Sequence, residues 1–197
     1  MLLRELKSSV IAVVVVTLVF GLAIPALFTG FAQLAFPSQA DGNLIKINGQ
    51  VVGSRLAAQA FTKPQYFHER PSATAPPYNA GGTTFANLGP TNPDLAKNVN
   101  AQATAILKLE SPYNRGLTIR DIPVDAVTTS GSGIDPDISP AYAQLQSHRI
   151  AAVRHRPLST VQGLISQNTD ERSLGFLGEP GVNVLELNLA LDKRQGT

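Results

Sequence analysis

The most prominent pattern along the chain is an uncharged, strongly apolar run near its start. Residues 8–40 are thirty-three positions without one charged side chain. About 20 helical residues cross a hydrocarbon core roughly 30 Å thick, so the run is long enough for one membrane-spanning helix. Pro25 lies inside it and lacks the amide hydrogen of a regular helix, which predicts a kink or break. We predict a single transmembrane helix over residues 8–36, preceded by a short head at residues 1–7.

A cleaved secretory signal is the competing interpretation of this segment. A short basic head, an apolar centre and the sequence Ser38-Gln39-Ala40 follow the order of the three regions of such a peptide. The apolar centre of a signal peptide is usually about 7 to 15 residues long, and this one is longer. The length therefore favours an anchor that stays in the membrane.

The charges on either side of the span predict its orientation. Arg4 and Lys7 precede the span, whereas the first charged residue after it is Asp41. Positively charged residues favour the cytoplasmic side of a membrane. We therefore expect the head to be cytoplasmic and residues 37–197 to form an extracytoplasmic domain.

Small residues within the span indicate where another helix can approach. Gly21 and Gly30 have no side chain to hold a neighbouring backbone away, and close helix packing in membranes uses such positions. We treat both glycines as candidate contact positions for a partner helix.

Beyond the span, the hydrophobic pattern alternates between strand and helix periods. Residues 44–47 and 50–52 flank Asn48-Gly49, a pair typical of a tight hairpin turn because both residues tolerate positive φ. The first element after the span is therefore predicted to be a β-hairpin.

Two later helices are predicted from a capping residue followed by proline. One begins at Asn92-Pro93 and is expected to end near Glu110. The other begins at Ser139-Pro140 and is expected to end near His155. A further helix is predicted by the apolar spacing over residues 157–167.

The remaining segments complete a mixed α/β fold. We predict a short helix over residues 54–61, a strand over 123–129 and a closing strand over 182–191. Residues 63–91 contain several prolines and glycines and are predicted to be one long irregular segment, a kind of loop that is often functional. The predicted fold is a single N-terminal transmembrane helix followed by one compact α/β domain.

Composition narrows the classes of partner. Removing the first forty of 197 residues leaves 157, enough for one domain with its own core. Two of sixteen basic and one of fourteen acidic residues lie in the head, which leaves fourteen against thirteen beyond it. Such a nearly neutral domain without a basic stripe is not expected to bind nucleic acid. The absence of cysteine fits an oxidising compartment without requiring one.

The densest polar sequence is the glycine loop at residues 130–133. It contains Ser130 and Ser132 and is followed by Asp135. Such a loop can present backbone amides to an anion, or hold a serine nucleophile. It lacks both the nucleophile-elbow pattern and the lysine of a phosphate-binding loop, so a structural turn is the favoured interpretation. An anion-binding module and an exported, membrane-anchored hydrolase remain the alternatives.

The histidines do not predict a metal site. His148 and His155 are seven residues apart, which is about two helical turns or roughly 10 Å, too far to share one zinc ion by themselves. We expect both on the surface. In the hydrolase alternative, either one would serve as the base for Ser130 or Ser132.

Arg149 is the most informative charged residue. It falls on the apolar stripe of its predicted helix, together with Tyr142, Leu145 and Val153. A buried cation needs an acidic partner, and Asp125 or Asp135 are the candidates. We expect a structural ion pair rather than an active site.

Short blocks spread over the chain resemble one family. They are AQAF at 58–61, YFH at 66–68, RPSA at 70–73, YNA at 78–80, NLGP at 87–90, SGSG at 130–133, DP at 135–136, ISP at 138–140 and LGFLGEP at 174–180. Through these blocks and the single span, the chain resembles the C subunit of the Kdp-type potassium-transporting P-type ATPase. It departs from the usual pattern at Glu69, where the family commonly has glycine. Together with Arg149, seven residues in these blocks are the candidate interface or structural residues: Phe67, His68, Arg70, Asn87, Ser130, Ser132 and Asp135.

The resemblance implies a place in a four-part bacterial inner-membrane pump. Its partners would be a potassium-selective channel-like subunit, an ATP-hydrolysing P-type subunit and a very small single-span subunit. This chain would be non-catalytic, with no catalytic or metal-binding residue, and needed for assembly and activity. The family is described as a catalytic chaperone that raises the ATP affinity of the hydrolysing subunit, a role that maps to Gln59. The predicted topology separates the domain from cytoplasmic ATP and favours bracing or gating the external mouth of the potassium-selective subunit.

Overall fold

The computed structural model describes residues 2–193. These divide into two compact units, with the boundary between Val52 and Gly53. The first unit contains the apolar helix and most of a hairpin, and the second contains the remaining helices and a small sheet. The mixed helix and sheet content with one long N-terminal apolar helix confirms the predicted fold class.

The apolar helix of the first unit is continuous from Leu2 to Ala35 and is long and apolar enough to cross a membrane. It consists of α1 (Leu2–Leu18), a π-helical turn (Val19–Ala23) and α2 (Ile24–Ala35). Pro25 does not end the helix, because the wider π turn before it accommodates the carbonyl that the proline leaves without a donor. No residue of α1, the π turn or α2 is buried.

The predicted hairpin is present. After the short helix α3 (Pro37–Ala40), strands β1 (Leu44–Ile47) and β2 (Gln50–Ser54) form a two-stranded sheet. Asn48 has φ +50° and Gly49 has φ +79°, as a tight turn of this type requires.

The second unit is mainly helical, and its longer helices follow the sequence signals. The side-chain oxygen of Asn92 accepts a hydrogen bond from the Asp94 amide at 2.9 Å, and Ser139 caps its helix through the Tyr142 amide at 3.0 Å. Both predicted capping positions are therefore confirmed. The helices of this unit are α4 (Pro93–Glu110), α5 (Val124–Val127), α6 (Pro140–Val153), α7 (Leu158–Gln167) and α8 (Val184–Lys193).

A small antiparallel sheet joins distant parts of the second unit. Its strands are β3 (Asp137–Ile138), β4 (Thr169–Asp170) and β5 (Gly181–Asn183), with β5 in the centre. Val182 is opposite Ile138 on one side and Thr169 on the other. Ile138 and Val182 are buried, so the sheet contributes directly to the core.

The core lies where α6, α7 and α8 pack beside this sheet. Its centre is formed by large apolar side chains that are at most 1% exposed: Phe67, Ile138, Ile150, Ile165, Val182 and Leu187. Phe67 comes from the irregular segment over residues 63–91, which contains no helix or strand, as predicted. The long loop is thus anchored in the core.

The predicted closing strand over residues 182–191 is wrong. Only β5 is extended, and the chain becomes helical at Val184. The Asn183 side chain accepts a hydrogen bond from the Glu186 amide at 3.2 Å and so caps the new helix. Val184, Leu187 and Leu191 are buried at helical spacing, which shows that the period was 3.6 rather than 2.

Two shorter predictions are also wrong. Residues 54–61 form turns rather than a helix, because the Ala58 amide donates to the carbonyl of Ile134 at 2.8 Å in a long-range contact. Residues 123–129 contain the short helix α5 instead of a strand. Pro123 directly precedes that helix, and Asp125 in its first turn was the available signal.

Candidate functional site

Side chains of α6 and α8 hold the irregular segment at residues 64–68 in place. The Arg149 guanidinium donates to the backbone carbonyls of Pro64 and Tyr66, the latter at 2.9 Å. Arg154, the residue that directly follows α6, donates to the carbonyl of Gln65 at 2.7 Å. Three consecutive carbonyls of an irregular segment therefore receive charged donors, which satisfies backbone groups that no strand partner serves.

Two buried amide side chains complete the attachment of the same segment. The Asn188 side chain accepts from the Phe67 amide at 2.8 Å and donates to the Phe67 carbonyl at 3.0 Å. The Gln146 side chain does the same for His68, at 2.7 and 3.0 Å. Each amide imitates the neighbouring strand of a sheet. The backbone around Phe67 is therefore as fully paired as a strand would be.

Arg149 forms the most buried ion pair among the described residues. Its Nε atom lies 2.7 Å from Glu110 Oε1, and the two side chains are 0% and 2% exposed. Burial raises the pKa of Glu110, and the Arg149 charge opposes part of that rise. The prediction that Arg149 is buried with an acidic partner is confirmed, but Asp125 and Asp135 were the wrong partners.

The two acids that were expected beside Arg149 serve other parts of the fold. Asp125 accepts hydrogen bonds from the Ser139 amide and hydroxyl, both at 2.8 Å, and so fixes the start of α6. Asp135 accepts from Arg70 at 2.9 Å. Arg70 also donates to Thr128, with its Nε atom 3.4 Å from the Thr128 carbonyl. Asp125 therefore links α5 to the start of α6, and Asp135 links the segment after the glycine loop to Arg70.

The glycine loop at residues 130–133 is a junction between irregular segments. The Ser130 hydroxyl accepts from the Gly133 amide at 2.9 Å, and Ser132 accepts from the Ile134 amide at 3.2 Å. The Ser72 hydroxyl donates to the Gly133 carbonyl at 2.6 Å. Both loop serines are therefore engaged in turn geometry, which is the favoured interpretation from the sequence.

The histidines form no hydrogen bond with these serines among the bonds described for residues 2–193. His148 and His155 are exposed, and among the hydrogen bonds described for residues 2–193 neither contacts Ser130 or Ser132. His68 is partly buried, and burial together with the nearby Arg149 charge lowers its pKa. Within the same residues, no group of three or more His, Asp or Glu side chains is arranged to hold a metal ion.

A broad groove runs beside the glycine loop. It has a volume of about 820 Å³ and is open to solvent. Its lining includes Asn87, Asn98, Gln102 and Ser130, and Asp94 is the only charged residue among the described residues of its wall. Asn87 has φ +51°, a conformation that asparagine tolerates. The groove therefore offers amide and hydroxyl groups, and its one charge would repel an anion.

Gln59 is half-buried and packs inside the second unit. Its Oε1 atom would lie 2.7 Å from a Cβ atom added at Gly53, so this glycine leaves the room that the amide occupies. Gly53 also lies close to Leu185, at 2.6 Å from the same added Cβ to its Cδ2 atom. The side chain that the family resemblance associates with ATP affinity thus lies against the backbone of its own domain.

Glu69 is the least expected acid in the structure. It is 5% exposed, and neither carboxylate oxygen has a hydrogen-bond partner. Burial raises its pKa well above the ordinary value, and the charges of Asp135 and Asp137 raise it further, while the nearby backbone N–H of Gln59 offsets part of the shift. Burial of Tyr78 raises its pKa to about 12, and the nearby Glu69 charge contributes to the rise.

The raised pKa of Glu69 predicts a dependence of stability on pH. A carboxyl with a higher pKa in the folded chain than in the unfolded chain binds its proton more tightly when folded, so its ionisation opposes folding. We expect Glu69→Gln to be neutral to stability below the ordinary pKa of 4.5 and increasingly stabilising as pH rises through the raised value. Parallel thermal melts of parent and variant across this pH range measure the difference. A difference that stays constant with pH would contradict the assignment.

Several of these residues escaped the sequence-based prediction. Glu110, Gln146 and Asn188 are polar groups at buried helix positions, and only Glu110 carried a usable signal. It follows Ala103 and Ile106 at helical spacing on the buried face of α4, where an acid requires a cationic partner. Gln146 and Asn188 carried no such signal, because nothing in the sequence indicates which backbone groups their side-chain amides contact. The structure places Gly21 and Gly30 on the apolar helix, each without a long-range neighbour.

Comparison with known proteins identifies the family. Residues 6–193 match the family described as "K+-transporting ATPase, c chain". A protein of Beijerinckia indica named "Potassium-transporting ATPase KdpC subunit" is 48% identical over 193 residues, which cover 98% of this chain and 95% of the relative. Proteins with the same name from Burkholderia orbicola and Methylococcus capsulatus are 49% and 47% identical, covering 96% and 97% of this chain and 96% and 98% of the relatives.

The family match covers residues 6–193, and the relatives share 48% and 49% sequence identity with this chain over nearly its full length. The chain belongs to the KdpC family, the C subunits of potassium-transporting ATPases.

Proposed function

We propose that this chain is an accessory, non-catalytic subunit of an ATP-driven potassium uptake pump, required for the assembly and activity of the complex. Its apolar helix anchors it in the inner membrane with the N-terminus in the cytoplasm. The second unit lies on the extracytoplasmic side, where it braces or gates the external mouth of the potassium-selective subunit. The ATP-hydrolysing subunit and the small single-span subunit are the other partners.

The observation that carries the proposal is the contrast between the two units. The 34-residue apolar helix has no buried residue, so its whole surface is available to lipid and to partner helices. In the second unit, the most buried polar side chains are used to hold the unit's own loops, as Arg149, Gln146 and Asn188 illustrate. An anchored unit of this kind is suited to supporting a neighbour.

Charge supports the proposed orientation. Arg4 and Lys7 lie at the start of the apolar helix with Glu5 as the one acid between them, and the helix carries no charge after Lys7 up to Ala35. Basic residues are retained on the cytoplasmic side of inner membranes. With one crossing, the second unit is then extracytoplasmic.

Contact with ATP has less support as a role for this domain than bracing or gating. The groove beside the glycine loop has no cation among its described lining residues, and its single charge, Asp94, would repel a triphosphate, which proteins usually bind through arginine or lysine. Gln59 lies against Gly53 inside its own unit. An extracytoplasmic domain would also be separated from the cytoplasmic nucleotide pool. These points favour bracing or gating over an ATP-affinity role.

The hydrolase alternative has less support. Among the hydrogen bonds described for residues 2–193, neither Ser130 nor Ser132 is paired with a histidine, the adjacent base that a serine nucleophile needs. The anion-binding alternative meets the repulsion of Asp94 in the groove. The accessory role therefore accounts for more of the observed contacts.

The proposal is tested by purifying the whole complex from membranes through a tag on this chain. We expect the tagged chain to retain the other pump subunits and a potassium-stimulated ATPase activity. We also expect a complex made without this chain to lose most of that activity and to regain it when the chain is supplied during expression. A chain that purifies alone, or an omission that leaves the activity unchanged, would overturn the accessory role.

Partner packing along the anchor gives a separate prediction. A Cβ atom at Gly30 would meet nothing within 4 Å, and one at Gly21 would meet only Thr17 of the same helix at 3.8 Å. Leucine at either position should therefore leave the chain's own fold intact. We expect Gly21→Leu and Gly30→Leu to lower retention in the purified complex several-fold, because close helix packing uses small residues.

The control for this prediction is Val13→Leu, at a position on the same helix that is 66% exposed and already carries a branched side chain. Its retention should equal that of the parent chain. If the glycine variants also behave like the parent, lipid rather than a partner helix covers those positions.

A further inference from the structure

A tight turn in the second unit exposes three large apolar side chains. We define the apolar turn as residues 173–178. Leu174 is 82% exposed, Phe176 is 68% exposed and Leu177 is 50% exposed. Among the described residues of this unit, eight large hydrophobic side chains are exposed, and three of them fall within this one turn. Clustering on this scale, in contrast to scattered single residues, marks an interaction surface.

The apolar turn is a firmly built structure. Ser173 and Leu177 exchange two backbone hydrogen bonds, each 2.9 Å long, and the Gly175 amide donates to the Arg172 carbonyl at 3.0 Å. At its base, Arg172 and Glu179 form an ion pair of 2.5 Å. The three side chains are therefore presented in a fixed arrangement, which lowers the entropy cost of docking.

Leu174 is held in an unfavourable backbone conformation. Its φ is +55°, in the left-handed region that glycine or asparagine occupies more readily. Because the Leu174 side chain is exposed, burial within this chain does not offset the backbone strain. Strain of this kind is retained where the surrounding structure imposes it, and it is concentrated at functional positions.

The charges around the apolar turn distinguish between two kinds of occupant. Counted with their ion-pair partners, the acids here are Asp170, Glu171, Glu179 and Glu186, and the bases are Arg172, which pairs with Glu179, and Arg55, which pairs with Asp170 and Glu186. An anionic lipid surface would repel this excess of acid, since membrane-binding segments carry clusters of lysine and arginine. A protein recess with an apolar floor and a basic rim would attract it.

We propose that the apolar turn docks into an apolar, basic-rimmed recess on another subunit of the same pump, with Leu174 and Phe176 as the buried anchors. The inference rests on the proposed function, because it takes a fellow pump subunit as the partner. Burial on that partner would remove the aromatic and aliphatic surface of these side chains from water. The free energy gained by this burial would offset the local strain at Leu174.

Photo-crosslinking in intact membranes identifies the occupant. The full-length chain carries Phe176→p-benzoylphenylalanine and is expressed with all pump subunits, and Val124→p-benzoylphenylalanine is the control at another position that is 74% exposed. We expect irradiation at position 176 to give a covalent adduct with another pump subunit, in clearly higher yield than at 124. Adducts with lipid alone, no adduct, or equal yields at both positions would overturn the inference.

A matched polar variant tests the energetics. Leu174→Asn suits the left-handed conformation, so this change should preserve or raise the melting temperature, and Phe176→Asn removes the second anchor. We expect the double variant to dissociate from the purified complex at least about tenfold faster, because two apolar anchors lose their burial. Val124→Asn should dissociate at the parent rate. An unchanged rate in the double variant would contradict the inference.

The two proposals fail in different ways. If the parent chain does not co-purify with a potassium-stimulated ATPase, the proposed function itself is wrong. If the parent chain does co-purify but position 176 gives no subunit adduct, only the docking role of the apolar turn is wrong.

Discussion

Replacing Arg149 by methionine is expected to lower the free energy of unfolding by about 3–5 kcal/mol, the usual cost of leaving a buried charge without its partner. Methionine replaces the aliphatic part of the side chain but carries no charge, so Glu110 would remain 1% exposed beside an apolar group. The carbonyls of Pro64 and Tyr66 would also lose their charged donor. Urea titration of the detergent-solubilised chain, followed by far-ultraviolet circular dichroism, measures the loss.

A double-mutant cycle separates the ion pair from the carbonyl contacts. Removing both charges, in Glu110→Gln with Arg149→Met, should cost clearly less than the sum of the two single changes, because no buried charge then remains alone. Part of the loss should persist, since the two carbonyls stay without their donor. Strictly additive effects would mean that Arg149 and Glu110 do not stabilise each other.

Replacing Gly133 by alanine is expected to cost about 2–4 kcal/mol, a range typical of a steric clash at a residue with positive φ. Gly133 has φ +74°, and an added Cβ atom would lie 2.5 Å from the backbone oxygen of Thr84 and 2.9 Å from the Thr74 side chain. A backbone carbonyl cannot rotate away as the end of a flexible side chain can. The junction between the glycine loop and the irregular segment would therefore have to separate.

Gly131 provides the control in the same loop. An added Cβ atom there would meet nothing within 4 Å, and its backbone does not lie in the left-handed region. Gly131→Ala should therefore change the free energy of unfolding by less than about 0.5 kcal/mol, as for most surface positions. Melting temperatures of both variants, taken in parallel, decide the matter. Equal effects at the two positions would show that the close approach at Gly133 is not a constraint.

Local signals in the sequence were sufficient where a single segment determines its own structure. The caps at Asn92 and Ser139 satisfy helix amides two and three residues away, so the starts of α4 and α6 could be predicted without any tertiary knowledge. The turn at Asn48-Gly49 is determined by its own backbone in the same way. The length and apolarity of the first helix likewise needed no partner to be recognised.

The errors occurred where distant contacts decide the conformation. The chain at Ala58 pairs with Ile134 across the fold, and this competes with the helix that its own composition favours. At β5, three residues are extended because they lie between β3 and β4, and the helical period resumes at once after them. A short strand followed directly by a helix gives a mixed pattern that one period cannot fit.

For the polar side chains too, the predictions were right where one helix decides and wrong where distant contacts decide. The stripe on α6 predicted that Arg149 is buried, because one helix determines which of its residues share a face. Its partner Glu110 comes from α4, so the choice among several acids required the packing of two helices. The attachment of Phe67 and His68 by Asn188 and Gln146 depends on three segments at once. No local pattern in the sequence encodes such an arrangement.

The location of the second unit is the central claim, and single-cysteine labelling measures it directly. The chain contains no cysteine, so Ala105→Cys and Glu5→Cys each introduce one exposed thiol, in α4 and in the head. Spheroplasts that express either variant with the other pump subunits are treated with a membrane-impermeant maleimide before and after lysis. We predict that position 105 is labelled before lysis and position 5 only afterwards. Labelling of position 5 before lysis, with position 105 protected, would place the second unit in the cytoplasm and contradict the account.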